Sequence, residues 1–153
     1  MTKKQYEDEV ERLAPSLRRI AYSIVRNEHD AQDAVQQALL AVWARRENVD
    51  LARLKPYLAR AVINACRDIQ RARQKAIPVE NVPESGYEPP DSALYDAVER
   101  LPEELRLPLL LHYMEGYKLA EIAGALGQSL PQLTSRLFRA RKLLRRMLEE
   151  VEA

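Results

Sequence analysis

Residues 119–147 read LAEIAGALGQSLPQLTSRLFRARKLLRRM, and the pattern in this stretch decides the fold of the C-terminal part of the chain. Its first piece has apolar residues at the i, i+3, i+4, i+7 spacing of one buried helix face, namely Leu119, Ile122, Ala123 and Leu126. Gly127 then breaks the helix, because glycine adopts backbone angles that other residues resist. Ser129 is placed to cap a second helix, with Gln132 at the partner position of a capping box. The stretch therefore predicts two helices joined by a tight turn.

The second of these helices has an apolar side and a basic side. The apolar side carries Leu130, Leu133, Leu137, Ala140, Leu144 and Met147. The other side carries Gln132, Ser135, Arg136, Arg139, Lys142 and Arg146. This pattern is typical of a helix-turn-helix, whose Arg and Gln side chains contact base edges while Arg, Lys and Ser hold phosphates. A solvated helix in an ordinary bundle is the alternative that this stretch alone leaves open.

The composition favours an all-α protein. The 153 residues are 46% hydrophobic and include only four glycines. Leu, Ala, Arg and Glu dominate, and these residue types favour helices. The single cysteine, Cys66, cannot form an internal disulfide, and we expect it to be a small buried residue.

A change in composition divides the chain into two parts. Residues 75–92 read KAIPVENVPESGYEPPDS, with four prolines and one glycine. They are predicted to form an extended acidic linker between a domain at 1–74 and a domain at 93–153. The net charge of +1 hides a separation, because residues 76–92 hold four acids and no base while residues 134–147 hold six bases and no acid.

The second helix of the first domain is predicted to leave polar and apolar residues exposed together. The helix is expected from Ala31 to Arg46, with Asp30 as its N-cap. Its predicted inner face is Val35, Ala38, Leu39 and Val42. The other faces carry Asp30, Asp33, Gln36, Gln37, Leu40 and Trp43. An exposed Leu and Trp indicate a partner surface, since Trp is enriched at interface hot spots. A core position for Trp43 fits its spacing equally well.

The third helix of the first domain, ending near Arg73, has an outward stripe of charged and amide side chains. The stripe consists of Arg60, Asn64, Arg67, Asp68 and Arg71, with Tyr57 near the start of the helix. Such a surface can hold a nucleic-acid strand by phosphate contacts and base stacking. A merely solvated face is the alternative.

The second domain is predicted to contain two helices before residue 119. Ser92 caps a short helix from Ala93 to about Arg100, and Pro102 opens the next. Pro108 is expected to bend that second helix. Its predicted inner face is Leu105, Leu109, Leu110 and Tyr113.

No pattern in the sequence indicates catalysis. The chain has no Walker A loop, no GxGxxG and no GxSxG elbow, and two histidines with one cysteine cannot build an ordinary structural zinc site. The sequence therefore predicts a protein that is not an enzyme and has no cofactor and no metal. No run of 18 apolar residues and no signal-peptide core is present, which predicts a cytoplasmic protein without direct membrane insertion.

Four motifs in order resemble bacterial sigma factors of the sigma-70 family, and more narrowly the extracytoplasmic-function (ECF) group. The resemblance covers residues 10–149. The motifs are NEHDAQDAVQQALLAVW at 27–43, YLARAVINACRD at 57–68, LPEELRLPLLLHYMEGYKLAEIAGALG at 101–127 and SRLFRARKLL at 135–144. The resemblance implies a region 2-like bundle and a region 4-like helix-turn-helix, and a promoter-specificity subunit of RNA polymerase.

The resemblance also implies a role for each matching residue. Residues that would dock on the β′ coiled coil of core polymerase are Asp30, Asp33, Gln36, Gln37, Leu40 and Trp43. Those that would open and hold the −10 strand are Arg60, Asn64, Asp68 and Arg71. Those that would read the −35 element are Gln132, Ser135, Arg136 and Arg139. The implied partners are the β′ and β subunits of core polymerase, promoter DNA and an anti-sigma factor, with no small-molecule substrate.

The chain departs from the family pattern at three places. Gln37 stands where the family usually has Glu, Tyr57 where it usually has Trp, and Pro131–Arg136 where it usually has G-T-V-K-S-R. These departures motivate an alternative hypothesis, a sigma-like module that binds an anti-sigma factor or polymerase without initiating transcription. A third hypothesis is a DNA-binding repressor that uses only the second domain, although the first-domain motifs count against it.

Overall fold

The computed structural model describes residues 1–75 and 92–152, and every regular element in those two ranges is helical. The prediction of an all-α fold is therefore confirmed. The helices fall into two compact units, one on each side of residues 76–91. The predicted linker, apart from its end residues Lys75 and Ser92, lies outside the described residues. Among the described helices, none combines the length and the apolar character that crossing a bilayer requires.

The N-terminal unit is a bundle of three mutually packed helices. They are α1 (Lys3–Val25), α2 (Glu28–Ala44) and α3 (Leu54–Lys75). Two 3₁₀ turns, Arg46–Asn48 and Leu51–Arg53, connect α2 to α3. Pro15 lies inside α1, which continues through it without a break.

The core of this unit is built from large side chains of α1 and α3. The largest fully buried ones are Leu17, Ile20, Leu54 and Leu58. Cys66 is also buried, as predicted, and its thiol lies 3.9 Å from the carbonyl oxygen of Ala21. These contacts hold α3 against α1 and fix the direction in which the outer face of α3 points.

Helix α2 packs through small residues, and this corrects the predicted inner face. The buried residues are Ala31, Ala34, Ala38 and Val42, while Val35 and Leu39 are only half-buried. Alanine at the contact lets two helices approach closely, because the distance between helix axes depends on the side chains between them. A sequence pattern that favours large apolar residues therefore misplaced the face by part of a turn.

The start of α2 also differs from the prediction. Asn27, not Asp30, is the N-cap, and its Oδ1 accepts the backbone N–H of Asp30 at 3.0 Å. Asp30 lies one turn inside the helix, with a side chain only 12% exposed that forms an ion pair with Arg73 of α3. Asn and Asp are both good N-cap residues, so residue type alone does not decide between the two positions.

The C-terminal unit is organised around its last helix, α7 (Leu130–Glu152). Helices α4 (Ala93–Glu99), α5 (Glu103–Leu109) and α6 (Leu119–Leu126) all pack against α7. Ser92 caps α4 as predicted, since its hydroxyl accepts the N–H of Tyr95 at 3.0 Å. The fully buried side chains of this unit include Tyr95, Leu107, Ile122 and Leu133.

A π-helical turn at Leu110–Met114 explains one wrong prediction. The N–H of Glu115 donates to the carbonyl of Leu110 at 2.9 Å, five residues back instead of four. The wider turn rotates the residues that follow Pro108, so that Tyr113 is 52% exposed instead of facing inward. The sequence predicted that Pro108 would bend the helix, but it did not predict the π-helical turn that follows the proline.

Helix α6 has an N-cap residue of an unfavourable type. Lys118 occupies the N-cap position, and an ammonium group cannot accept a backbone N–H. Only the reciprocal half of a capping box exists there, because the Glu121 carboxylate accepts the N–H of Lys118 at 2.9 Å.

We expect Lys118→Ser to raise the free energy of unfolding by about 1 kcal/mol, because the serine hydroxyl would accept the N–H of Glu121. Urea unfolding measures this change, and an unchanged midpoint would contradict it; Lys118→Ala, which adds no acceptor, is the control.

Candidate nucleic-acid and partner interfaces

The two helices predicted from residues 119–147 are joined by the predicted turn. Gly127 ends α6 with φ of 65°, in the left-handed region that favours glycine. The N–H of Gln128 then donates to the carbonyl of Ala123 at 3.0 Å. Both halves of the Ser129–Gln132 capping box form, at 3.3 and 3.1 Å. This local hydrogen bonding fixes the angle at which α7 leaves the turn.

Helix α7 presents a buried side and an exposed basic side. Leu133, Leu137 and Ala140 are buried, as predicted, whereas Leu130 is 49% exposed because it is the first residue of the helix. Of the four residues predicted to read DNA, three are exposed and one is half-buried. The exposed ones are Gln132, Ser135 and Arg139, and the half-buried one is Arg136.

The outward stripe of α3 borders a cleft against α2. Arg60, Asn64, Asp68 and Arg71 are all exposed, and Arg71 forms an ion pair with Asp68. The cleft has a volume of about 530 Å³. The polar side chains that line it are Gln37, Arg45, Tyr57, Arg60, Asn64 and Asp68.

This cleft brings together residues from two of the predicted sites. Gln37 was predicted for polymerase docking, and Arg60, Asn64 and Asp68 for the −10 strand. A cleft lined by one aromatic ring, two guanidinium groups, two amides and one carboxylate can accept an unstacked base and a neighbouring phosphate. The described residues contain no cluster of His, Cys, Asp and Glu that could hold a metal ion.

The predicted docking residues on α2 do not form one uniform surface. Leu40 is 71% exposed, and Gln36 and Gln37 beside it are also exposed. Asp33 is half-exposed, with its carboxylate 3.7 Å from Nε2 of His29. Asp30 is buried in its ion pair with Arg73, so it does not lie on this surface.

Comparison with known proteins assigns the chain to a family. Its residues 10–76 match the model for sigma-70 region 2, and residues 91–144 match the model for sigma-70 region 4. An RNA polymerase sigma-E factor of Streptomyces coelicolor is 34% identical over 160 residues, which cover 97% of this chain and 87% of the relative. The chain belongs to the sigma-70 family. The ECF RNA polymerase sigma factor SigM of Mycobacterium tuberculosis is 36% identical over 142 residues, which cover 86% of this chain and 71% of the relative. The chain is therefore an ECF sigma factor, as the four motifs predicted.

Two solved structures share the fold of this sigma factor. The sigma factor RpoE of Bartonella quintana, in complex with the anti-sigma factor NepR, matches with a TM-score of 0.69 and 24% identity over 95% of this chain and 98% of that chain. CnrH, in complex with the cytosolic domain of CnrY, matches with a TM-score of 0.69 and 23% identity over 97% of this chain and 90% of that chain. The roles of individual residues in the chain described here stay predictions.

The sequence patterns did not identify Phe138 as an exposed residue of the sigma factor. Phe138 is 61% exposed on α7, next to the predicted DNA-reading residue Arg139. An apolar side chain in this position can contact a thymine methyl group. The sequence does indicate this exposure. Phe138 does not fall on the buried face defined by Leu133, Leu137 and Ala140, and its neighbours on the other faces of the helix are polar.

Trp43 of the sigma factor is half-buried in an aromatic cluster. Its ring lies 5.0 Å from the ring of Tyr6, and the Arg46 guanidinium lies 4.2 Å above it. The Tyr6 hydroxyl donates to the carbonyl of Leu39 at 2.6 Å. The cluster therefore joins α1 to the end of α2, and Trp43 has both a core role and an accessible edge.

The Tyr6 hydroxyl gives a prediction for alkaline pH. Burial raises the pKa of Tyr6 above its usual value. The unfolded chain therefore loses this proton first as the pH rises, so the tyrosine lowers stability progressively above about pH 10. At neutral pH we expect Tyr6→Phe to lower the free energy of unfolding by about 1 kcal/mol, because the hydrogen bond to Leu39 is lost. Above about pH 10 the stability of the variant should fall less than that of the parent chain, because phenylalanine has no proton to lose. Urea unfolding followed by Trp43 fluorescence, at neutral pH and above about pH 10, measures the free energy of unfolding of both proteins. An equal loss of stability with pH in the two proteins would contradict the prediction.

Proposed function

We propose that the helices of the two units perform different parts of the function of a sigma factor. The domain at 1–74 docks on the β′ subunit of core polymerase through α2 and holds the −10 strand along α3. The domain at 93–153 reads the −35 element through α7, and residues 75–92 connect the two. The protein directs promoter recognition and transcription initiation, acts in the cytoplasm and catalyses no reaction of its own.

The observation that carries this proposal is the cleft between α2 and α3. A repressor that uses only the helix-turn-helix has no need of an aromatic and polar cavity on a separate bundle. The cleft, with Tyr57, Arg60 and Asn64 on one wall, has the groups that bind an unpaired strand. This feature favours promoter opening over simple duplex binding.

The proposed partners follow from family membership and from the exposed groups. Core polymerase would contact the face of α2 that carries Leu40, and promoter DNA would contact α3 and α7. An anti-sigma factor is proposed as a third partner, because RpoE of Bartonella quintana was solved in complex with the anti-sigma factor NepR.

Run-off transcription tests the proposal. Purified bacterial core polymerase is assayed with and without the chain on promoter fragments selected from the host genome. Initiation at discrete start sites that depends on the chain is the expected result. Absence of initiation, with binding to core demonstrated by gel filtration, would contradict it.

The alternative function is a sigma-like module that binds polymerase or an anti-sigma factor without initiating transcription. Gln37 favours it, because a glutamine replaces a charged residue at the docking face and also lines the cleft. Gln37→Glu separates the two functions. For an initiating sigma factor, transcription follows any gain in core affinity, whereas for the alternative transcription stays absent at every affinity.

A further inference from the structure

Tyr113 of the π-helical turn contacts Arg141 of α7. The guanidinium of Arg141 donates a hydrogen bond to the Tyr113 hydroxyl, and its carbon Cζ lies 5.8 Å from the centre of the tyrosine ring. This distance is within the range of a cation–π interaction. Both side chains are exposed, Tyr113 to 52%. The contact therefore holds two exposed side chains, 28 positions apart in the chain, in one arrangement.

The ring of His112 supports the tyrosine. It packs edge-on against the Tyr113 ring, with the ring centres 4.8 Å apart and the planes at 75°. Nδ1 of His112 lies 3.0 Å from the carbonyl oxygen of Tyr117. Since a carbonyl oxygen can only accept, Nδ1 carries the proton and donates it. The Tyr113 ring is thus fixed by its neighbour in the turn, and it can act as a rigid partner for Arg141.

The partner that holds Arg141 is neutral, because a tyrosine hydroxyl carries no charge when it accepts a hydrogen bond. Several arginines of the N-terminal unit are instead held by carboxylates, namely Arg12, Arg18, Arg71 and Arg73. A carboxylate offsets the charge of the guanidinium that it binds, whereas a hydroxyl leaves that charge in place. Arg141 is therefore an ordered arginine that keeps its positive charge and most of its N–H donors for another group.

Arg141 lies on an exposed face of α7 beside the face predicted to read bases. At about 3.6 residues per turn, Thr134, Phe138, Arg141 and Arg145 fall within about 60° of one another, and all four are exposed. Thr134 is uncharged, so Arg141 is the first cation along this face from the start of α7. Residues 134–147 hold six bases and no acid. Such a surface attracts a polyanion.

We propose that Arg141 binds a phosphate of the promoter backbone beside the −35 element, and that Tyr113 is the residue that positions it. The inference rests on the proposed function and adds two residues to its −35 site. Contacts to phosphates fix the register of a recognition helix on the duplex but carry no sequence information. A neutral partner suits this task, because it restricts the rotamers of the arginine before DNA binds and does not compete with the phosphate for its charge.

The dependence of DNA binding on salt tests the role of Arg141. The full chain is assembled with core polymerase, and its affinity for promoter fragments is measured by fluorescence anisotropy from about 0.05 M to about 0.2 M salt. We expect Arg141→Ala to weaken binding by about tenfold, equally for fragments with and without single substitutions in the −35 element. The slope of log affinity against log salt should become shallower by about one. Arg141→Lys keeps the charge, so it should keep the slope of the parent chain.

A double-variant experiment tests the role of Tyr113. Tyr113→Phe removes the hydroxyl but no charge, so we expect binding to weaken by about threefold with the slope unchanged. In the Arg141→Ala background the same change should cost nothing more, because the hydroxyl acts through the arginine. Arg145→Ala is the matched control, since Arg145 lies on the same face one turn later and is not part of the contact with Tyr113. In that background Tyr113→Phe should still cost about threefold.

The outcomes separate the inference from the function on which it rests, once circular dichroism has shown that the variants keep their helices. If Arg141→Ala changes neither the affinity for DNA nor the slope, Arg141 binds no phosphate and the inference is wrong. A loss of binding to core polymerase alone would then show that Arg141 contacts an acidic protein surface instead. If Tyr113→Phe costs as much in the Arg141→Ala background as in the parent chain, Tyr113 does not position Arg141 and the inference is also wrong. If the parent chain with core polymerase binds no promoter fragment, the proposed function fails and the inference fails with it.

Discussion

Replacement of Arg139 by alanine is expected to lower the affinity for a promoter −35 element by about 10- to 100-fold. Arg139 is exposed on α7, on the side opposite the buried Leu137 and Ala140. A guanidinium that contacts a guanine edge through two hydrogen bonds contributes about 1–3 kcal/mol of discrimination between bases. Its loss should therefore relax specificity at one base pair and not weaken binding uniformly.

The matched control for this prediction is Arg145→Ala. Arg145 is the same residue type on the same helix and is also exposed, but it lies about a third of a turn around from Arg139. At that position we expect it to contact a phosphate and no base edge. A lost phosphate contact weakens binding to all sequences equally and lowers the salt dependence of binding. We expect a loss of only a few-fold for Arg145→Ala.

The measurement combines run-off transcription with DNA binding by the full sigma factor in complex with core polymerase. Promoters with single substitutions in the −35 element are compared for the parent chain and the two variants. Arg139→Ala should make one position of the element tolerant to substitution. If both variants weaken every promoter by the same factor, α7 holds the backbone without reading bases at Arg139.

The helix-turn-helix could be predicted from sequence because its signals are local. The Gly127 turn, the Ser129–Gln132 capping box and the buried Leu133–Leu137–Ala140 spacing all depend on residues within one or two turns of each other. Such signals need no knowledge of the rest of the fold. The family motifs then identified the function, as the comparisons confirm.

The misplaced residues have causes that lie outside the local sequence. Asp30 is buried because Arg73, 43 positions later, is in reach of its carboxylate, and no pattern around residue 30 reveals that contact. The inner face of α2 consists of three alanines and Val42, and a search for large apolar side chains does not reveal a contact made by such small residues. Tyr113 is exposed because a π-helical turn follows Pro108. The cleft between α2 and α3 was hidden for the same reason, since its walls come from two separate helices.

Replacement of Leu133 by alanine is expected to have the largest effect on stability. Leu133 is fully buried in α7, the helix against which α4, α5 and α6 pack. Truncation of a buried leucine to alanine costs about 2–5 kcal/mol, from the lost transfer free energy and the cavity left behind. A unit of this size has a total stability on the order of 5 kcal/mol. The variant should therefore leave much of the C-terminal unit unfolded and should fail to initiate at promoters that need the −35 element.

Leu130→Ala is the control, because it removes the same atoms from the same helix one turn earlier. Leu130 is 49% exposed, so its truncation leaves no closed cavity and should cost less than about 1 kcal/mol. The single tryptophan, Trp43, lies in the N-terminal bundle, so its fluorescence follows that unit while circular dichroism follows the helices of both. We expect Leu133→Ala to shift the urea transition seen by circular dichroism and to leave the fluorescence transition in place. Equal costs for the two leucines would show that the C-terminal unit does not depend on the packing of Leu133, and a shift in both transitions would show that the two units unfold together.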